Sequence, residues 1–376
     1  MSEVPSVARV RAYGVAPAST ALQRYVGTDA PFRLSLELLR VTLSTGAEGF
    51  ASCCSGWRGA PVGLLARSAA ARAAHVLEQP LVSPASVAQR AADPDAGDAP
   101  DILSSLLDVA LWDAMAREQG RSLQALVGRR HAALDCYAST PAYLTIDDYL
   151  RDVETALALG CAGVKFHFNG DPDFDLELVS VVDRRYGQGS LRFMADMEGV
   201  CHFDDAVRLG RRLAERNWLW LEAPFPDARL DLYAELKRAA PIDIIPAGYE
   251  HVGAAFWASG LAGGAWSRLR FDVSLSGGIS GALQGLALAA AHGVPVELQS
   301  FGYLPSQAAN LLMMQLAPSP PMFELPLPVA DFAFAGLTGI RPGPDGRVAL
   351  PAGPGLGIEL DWGRIEAEAE HVFDSL

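Results

Sequence analysis

Lysine is almost missing from this chain: of 376 residues only Lys165 and Lys237 are lysines, and all other fixed basic charge is arginine. Basic charge is also in deficit, with 30 Lys and Arg against 44 Asp and Glu and a net charge of −14. That balance excludes nucleic acid and anionic membrane as expected partners, because both need a basic surface. A long apolar run is lacking too. The longest, Ile279 to Val296, is broken by Gly281, Gln284, Gly285, His292, Gly293 and Pro295, so no membrane span is expected. The opening MSEVPSVARVRAYGV has no apolar signal core, so a cytoplasmic location is expected. Five cysteines (Cys53, Cys54, Cys136, Cys161, Cys201) form no CxxC pair, and a bridge between neighbours Cys53 and Cys54 would be strained. Free, mostly buried thiols in a reducing compartment are the expectation.

What is present is a globular composition, half hydrophobic and one fifth charged. Within it the two lysines differ. Lys237, in AELKRAA, reads as an ordinary exposed helix residue. Lys165 lies inside AGVKFHF, where an unpaired ammonium would be costly. In so lysine-poor a chain this placement points to chemistry arginine cannot do, since arginine does not give up its proton. A strand-end lysine in water or in a salt bridge is the plainer alternative.

The chain divides by rhythm. Residues 6–16 and 33–43 alternate polar and apolar and read as strands. The glycine- and cysteine-rich 46–60 reads as a strand end and loop. Helical periodicity covers 61–78 and 101–117, and the polar stretch 88–100 is a connection. Residues 1–131 are therefore expected to form a small α+β domain. From 132 to 325, short apolar runs alternate with amphipathic windows. The strand candidates are 134–139, 163–168, 191–196, 219–224, 242–247, 268–273, 295–300 and 321–325. Eight strands alternating with helices predict an α/β fold with a parallel barrel. A doubly wound sheet would want a glycine-rich phosphate turn after its first strand, and the turn after Ser139 has none. Residues 326–376 are expected to pack back on the first domain.

Catalytic groups in such barrels stand at the C-terminal strand ends. Reading polar residues there gives Lys165 and His167, Asp196 with Glu198, Glu222, Glu250 just past the fifth strand, then Asp272, Gln299 and Glu324. Converging carboxylates repel one another, and a divalent cation is the simplest compensation. An all-oxygen ligand set suits Mg²⁺ or Mn²⁺ rather than Zn²⁺. Each carboxylate taken alone reads equally well as a solvated loop end. Strand alternation puts Lys165 and His167 on one face, about 7 Å apart. Near a metal and other cations either could have its pKa lowered toward neutrality and act as a base.

The segments DILSSLLDVALWDAMAREQGRSLQALVG, GVKFHF, FMADMEG, WLEAP, FDVSLSGGISGAL and PGLGIELD together resemble the enolase superfamily, most closely its mandelate racemase-type members in the mandelate racemase/muconate lactonizing enzyme family. The resemblance runs from about residue 5 to 365. It implies a modified (β/α)₇β barrel under an N-terminal capping domain, with Mg²⁺ on carboxylates of strands three, four and five. It also implies chemistry that begins by removing a proton next to a substrate carboxylate, and a homo-oligomer. Asp196 and Glu222 match the third- and fourth-strand ligands. On strand five, members show a Gly-Glu pair where this chain reads AGYEHV. Glu250 is assigned as third ligand, with a metal held by two carboxylates as the alternative.

Lys165-Phe166-His167 stands where the family commonly carries Lys-x-Lys. His167 takes the place of the proton-abstracting lysine, and Lys165 would polarise the substrate carboxylate. Glu324 matches the acid that hydrogen-bonds the enediolate oxygen. Asp272 matches the strand-six aspartate, but Gln299 stands where a strand-seven histidine is usual. An amide cannot exchange a proton at neutral pH, so two-base racemisation is disfavoured. Asp272 would then accept a hydrogen bond from Gln299, orient His167 or act as an acid. Glu198, Gln299, Arg24 and Trp57 are candidate substrate contacts, the last two in the capping loops with Tyr25 and Arg58. With one base, dehydration of an acid sugar is the leading expectation. Epimerisation or cycloisomerisation on the same scaffold, and a metal-binding homologue without chemistry, are the alternatives.

Overall fold

The computed structural model describes residues 4–17, 23–24, 31–32, 34–55, 62–96, 100–334 and 337–376, with 23–24 and 31–32 described by backbone alone. The N-terminal part holds strands β1 (Val7–Val15), β2 (Gln23–Arg24), β3 (Pro31–Phe32), β4 (Ser35–Leu43) and β5 (Glu48–Ser55). Helices α1 (Leu64–Arg72), α2 (Pro84–Ala88), α3 (Ile102–Glu118) and α4 (Leu123–Val127) follow. Antiparallel β1, β4 and β5 form a sheet whose fourth strand comes from the far end of the chain. Residues 48–55 are a full strand, where a strand end and loop were expected over 46–60. Gly49 is needed for packing rather than for a turn. A Cβ there would lie 2.1 Å from the Ala110 carbonyl of α3, so glycine lets the sheet and the helix meet. Asp101 caps α3, accepting from the amides of Leu103 and Ser104.

The second part alternates β6 (Leu134–Ser139), α5 (Ile146–Ala158), β7 (Gly163–His167), α6 (Pro172–Tyr186), β8 (Arg192–Asp196), α7 (Phe203–Glu215), β9 (Trp220–Glu222) and α8 (Leu230–Ala239). It continues through β10 (Asp243–Ile245), α9 (Ala254–Ala262), β11 (Leu269–Phe271), α10 (Gly278–Ala291), β12 (Val296–Leu298), α11 (Leu304–Leu316) and β13 (Phe323–Pro326). Eight strands with seven intervening helices make the (β/α)₇β pattern. Strands β10, β9, β8, β7, β6 and β13 lie side by side in parallel, and β11 pairs in parallel with β12. Two further links bridge the gaps between these sets. The Ser267 amide donates to the Ile244 carbonyl, and Ser300 exchanges hydrogen bonds with the backbone of Glu324.

The C-terminal segment divides its contacts. Strand β14 (Arg347–Val348) pairs with β6 of the barrel. After α12 (Trp362–Glu368), β15 (His371–Asp374) joins the capping sheet beside β1. Asp113 of α3 fastens the parts together, accepting from the amides of Phe50 and Leu356 and pairing with Arg117. All five cysteines are free thiols. Among the described residues no helix is long and apolar enough to cross a membrane.

Candidate functional site

In-register parallel pairing builds the site. His167 lies opposite Asp196, and Asp196 opposite Glu222, on three neighbouring strands. Strands so paired are about 4.8 Å apart, so these side chains stand in a row at the C-terminal end of the barrel. Lys165, one inward position deeper, completes the cluster. Its Nζ lies 2.9 Å from Asp196 Oδ2, 3.0 Å from Glu222 Oε1 and 2.9 Å from Glu324 Oε1, and the side chain is 1 % exposed. Arg270 of β11, equally buried, faces Glu222 through Nε at 2.8 Å and Glu324 through Nη2 at 2.9 Å. Trp220 Nε1 donates to the second Glu222 oxygen at 3.3 Å.

The charges settle accordingly. Burial opposes the Lys165 ammonium, but Asp196, Glu222 and Glu324 outweigh it and hold its pKa well above the ordinary lysine value. Burial likewise works against a charged His167, yet Asp196 and Glu198 hold the imidazole up at about 9. Both groups are therefore raised, because in this cluster anions outnumber cations; the lowering expected from the sequence was conditional on a nearby metal. Lys165 is held charged here. Burial also opposes ionisation of Asp196 and Glu324, but Lys165 with His167 keeps Asp196 well below its usual range. Lys165 and Arg270 hold Glu324 near 2. Glu324 thus accepts hydrogen bonds rather than donating one. Glu222 goes the other way, to about 8, through burial and the neighbouring Asp196 and Glu324 carboxylates.

His167 is oriented by the backbone. Its Nδ1 contacts the Thr140 carbonyl, and since a carbonyl only accepts, Nδ1 carries the proton. That leaves Nε2 toward the site, 3.2 Å from Asp196 Oδ2 and 3.9 Å from Glu198 Oε1. Two of the four described non-glycine residues with positive φ directly follow this chemistry: Glu198 at 45° and Ala223 at 43°. Left-handed backbone at such residues costs of order 1 kcal/mol. It is held by the Glu198 amide on Asp196 Oδ1 and by the Gly199 amide on the Ala223 carbonyl.

The remaining candidates are placed differently. Asp272 accepts from the Ser274 amide and from Asn310 Nδ2, and burial raises its pKa. The expected partnership with Gln299 is replaced by Asn310, and the expected orientation of His167 by Thr140. Asp272 and Gln299 do share a cavity of about 220 Å³ between cap and barrel, with Cys53, Cys54, Tyr249 and Phe301. Glu250 accepts from the Asp227 amide at 3.0 Å. The Trp57 residue, with Tyr25 and Arg58, lies outside the described residues, as does the Arg24 side chain. Arg270 was not singled out from the sequence, although period-two alternation places it on the face of Asp272.

Asp196 and Glu222 fit a hard divalent cation. They are buried neighbours in register, and their oxygens already converge on one positive centre, the Lys165 ammonium. Among the described residues no three His, Cys, Asp or Glu side chains converge as a metal group.

A family model described as Enolase C-terminal domain-like matches residues 148–364, more than half of the chain. A D-galactarolactone cycloisomerase from Agrobacterium fabrum is 28% identical over 68% of this chain and 70% of its own length. An L-talarate/galactarate dehydratase from Salmonella typhimurium is 28% identical over 50% of this chain and 48% of its own length. Among solved structures, one from Pseudovibrio sp., provisionally named a mandelate racemase/muconate lactonizing enzyme, superposes with a TM-score of 0.93 at 27% identity, covering 99% of both chains. The Salmonella dehydratase superposes at 0.84 with 19% identity over 98% of this chain and 93% of its own, a likeness of fold alone. The chain belongs to the enolase superfamily, in the Enolase C-terminal domain-like family, and has the capped barrel of mandelate racemase/muconate lactonizing enzymes.

Proposed function

We propose that this protein is a Mg²⁺-dependent hydro-lyase that removes the proton α to a carboxylate and dehydrates an acid sugar. The observation that carries the reading is the Lys165–Asp196–Glu222–Glu324 cluster with His167 Nε2 aimed into it. Asp196 and Glu222 would hold the cation, with Glu250 as third ligand. When bound, Mg²⁺ supplies positive charge where the enediolate oxygens develop, and Mn²⁺ suits the same oxygens. The acid-sugar class is supported by the relatives, and the Salmonella dehydratase has been solved with Mg and L-lyxarohydroxamate.

The residues divide the work. Lys165 is a permanently charged donor for the substrate carboxylate. His167, oriented by Thr140, takes the α-proton on Nε2 in its unprotonated form, whose share grows as pH rises toward about 9. Elimination then breaks the β carbon–oxygen bond, and the imidazolium returns its proton to the departing hydroxide as water. Glu324 stays an anion that fixes Lys165. Gln299 cannot serve as a second base, so elimination fits better than racemisation. Cycloisomerisation is the second reading, favoured by the larger shared coverage with the galactarolactone cycloisomerase.

A panel of acid sugars incubated in D₂O with Mg²⁺ and followed by NMR tests this. Loss of water with one solvent deuteron in the product is expected, abolished by chelation and by Glu222→Gln. Turnover that survives exhaustive chelation overturns the metal role, and α-exchange without loss of water replaces dehydration by epimerisation.

A further inference from the structure

Two of the five thiols meet at the N-terminal end of the barrel, away from the Lys165 cluster. Cys136 stands in β6 and Cys161 just ahead of β7. Parallel pairing of these strands joins their backbones there, with the Ala162 amide donating to the Cys136 carbonyl at 2.8 Å. The two Sγ atoms are 3.7 Å apart. A disulfide is about 2.05 Å long, so the sulfurs need to approach by about 1.7 Å, a displacement within reach of side-chain rotation. Neighbouring strands stand about 4.8 Å apart, inside the roughly 4.4–6.8 Å between Cα atoms that a disulfide spans.

The two sulfurs are not equivalent. Cys136 is fully buried, whereas Cys161 is 7 % exposed and follows the exposed Gly160. Cys136 is the donor of the pair, with the Gly346 carbonyl as a further acceptor at 3.6 Å. Its hydrogen bond favours a thiolate at Cys161 and lowers that pKa against the opposing effect of burial. The same bond, with burial, pushes Cys136 up. Burial also raises Cys53, Cys54 and Cys201, so Cys161 alone of the five shifts toward the reactive form. The surroundings hold the pair in place. Gly346 has φ +73°, and a Cβ there would lie 2.3 Å from the Gly160 carbonyl, so the turn before β14 is pressed on the turn before Cys161.

We infer that Cys136 and Cys161 are a site of reversible disulfide formation, in which Cys161 reacts first with a hydroperoxide and Cys136 resolves the product. The Cys161 thiolate attacks one peroxide oxygen, the O–O bond breaks, and hydroxide leaves with the proton that Cys161 had released. Cys161 is then a sulfenic acid. The Cys136 sulfur attacks the Cys161 sulfur, the S–O bond breaks, and the departing hydroxide takes the Cys136 proton as water. Two thiols are oxidised by two electrons and one hydroperoxide is reduced. The bond closes a loop through α5 and ties the start of β7 to β6.

The test treats the full-length protein with a small excess of hydrogen peroxide, unfolds it in N-ethylmaleimide and weighs it. Of the five thiols, two are expected to be lost to the bond and three alkylated, with all five restored by dithiothreitol. Cleavage after Arg130, Arg151 and Lys165 places Cys136 and Cys161 on separate peptides, which should appear joined after oxidation. In Cys136→Ser, Cys161 is expected to be trapped by dimedone as the sulfenic acid; in Cys161→Ser, Cys136 should stay unlabelled. Five alkylated thiols after peroxide, or a bond joining any other cysteines or two molecules, overturns the inference. Equal dimedone labelling of Cys136 in Cys161→Ser overturns the assigned order. The wild-type peptide map needs no substitution, so it decides the matter even if a variant does not fold.

Discussion

Arg270→Met removes the guanidinium that separates Glu222 from Glu324, and its cost can be worked from the geometry. The side chain is 1 % exposed and lies 2.8 and 2.9 Å from the two carboxylates. Breaking a buried pair by deleting one partner costs about 3–5 kcal/mol, because the other charge is left uncompensated. Here Lys165 remains as a counter-ion to both carboxylates, and Glu222 already titrates near 8. At pH 7 the variant can relieve itself by protonating Glu222, which sets the cost near the lower figure, about 3 kcal/mol. A raised folded-state pKa means stability is lost as pH rises through it. In the variant that pKa moves higher still, so the deficit against wild type should widen above pH 8 by about 1.4 kcal/mol per unit.

Denaturant unfolding of the metal-free protein at pH 7 and pH 9 reads both effects. With roughly 2.1 cal/mol/K of unfolding entropy per residue, about 3 kcal/mol lowers the melting temperature by about 4 °C. Arg270→Met/Glu324→Gln removes one of the stranded charges and should recover about 1–2 kcal/mol. A variant within 0.5 kcal/mol of wild type at both pH values would refute the account of Arg270 as the counter-ion of this cluster.

Two further outcomes follow from buried groups. Asp108 of α3 accepts from the Ser280 amide at 3.0 Å, and burial raises its carboxyl to about 6. Its folded pKa exceeds the ordinary 3.8, so its contribution is present below that value and lost as pH rises through about 6. Asp108→Asn should flatten that stretch and be more stable than wild type at pH 7 by about 1–3 kcal/mol, read from urea curves at pH 4.5 and 7. An unchanged pH slope would count against it. His167→Gln should slow α-proton exchange by about 10²–10⁴ while leaving Mg²⁺ affinity within about threefold. Exchange at the wild-type rate would move the base elsewhere.

The alternation of strand and helix was legible because each barrel strand is a short apolar run flanked by amphipathic helices such as α5 and α7. Helix α11 was not, and its burial explains why: every residue from Leu304 to Gln315 is buried, so no polar face marks the period. Strand β5 was hidden by glycine and cysteine whose purpose is contact with α3 and the cavity. Strand ends announced Asp196, Glu222 and Glu324 as polar residues in apolar runs. They could not announce which pairs meet, since Glu222 and Glu324 are joined through Lys165 and through Arg270 reaching across the barrel. Sequence spacing carries no term for that closure, so the surplus of anions that raises Lys165 and His167 could not be read from it.

The scarcity of lysine acquires a different meaning on these grounds. From sequence, a lone buried lysine suggested a group valued for losing its proton. In the structure Lys165 is held charged, and what distinguishes it from arginine is shape. A compact ammonium with three donors reaches Asp196, Glu222 and Glu324 from one point, each within 3.0 Å. A planar guanidinium is a fork, suited to the two-carboxylate bridge that Arg270 makes from the opposite side. The cluster therefore uses each cation where its geometry fits. His167 differs from both in having one nitrogen anchored on the Thr140 carbonyl, away from the carboxylates, while the other faces Asp196, which with Glu198 holds the imidazole up at about 9.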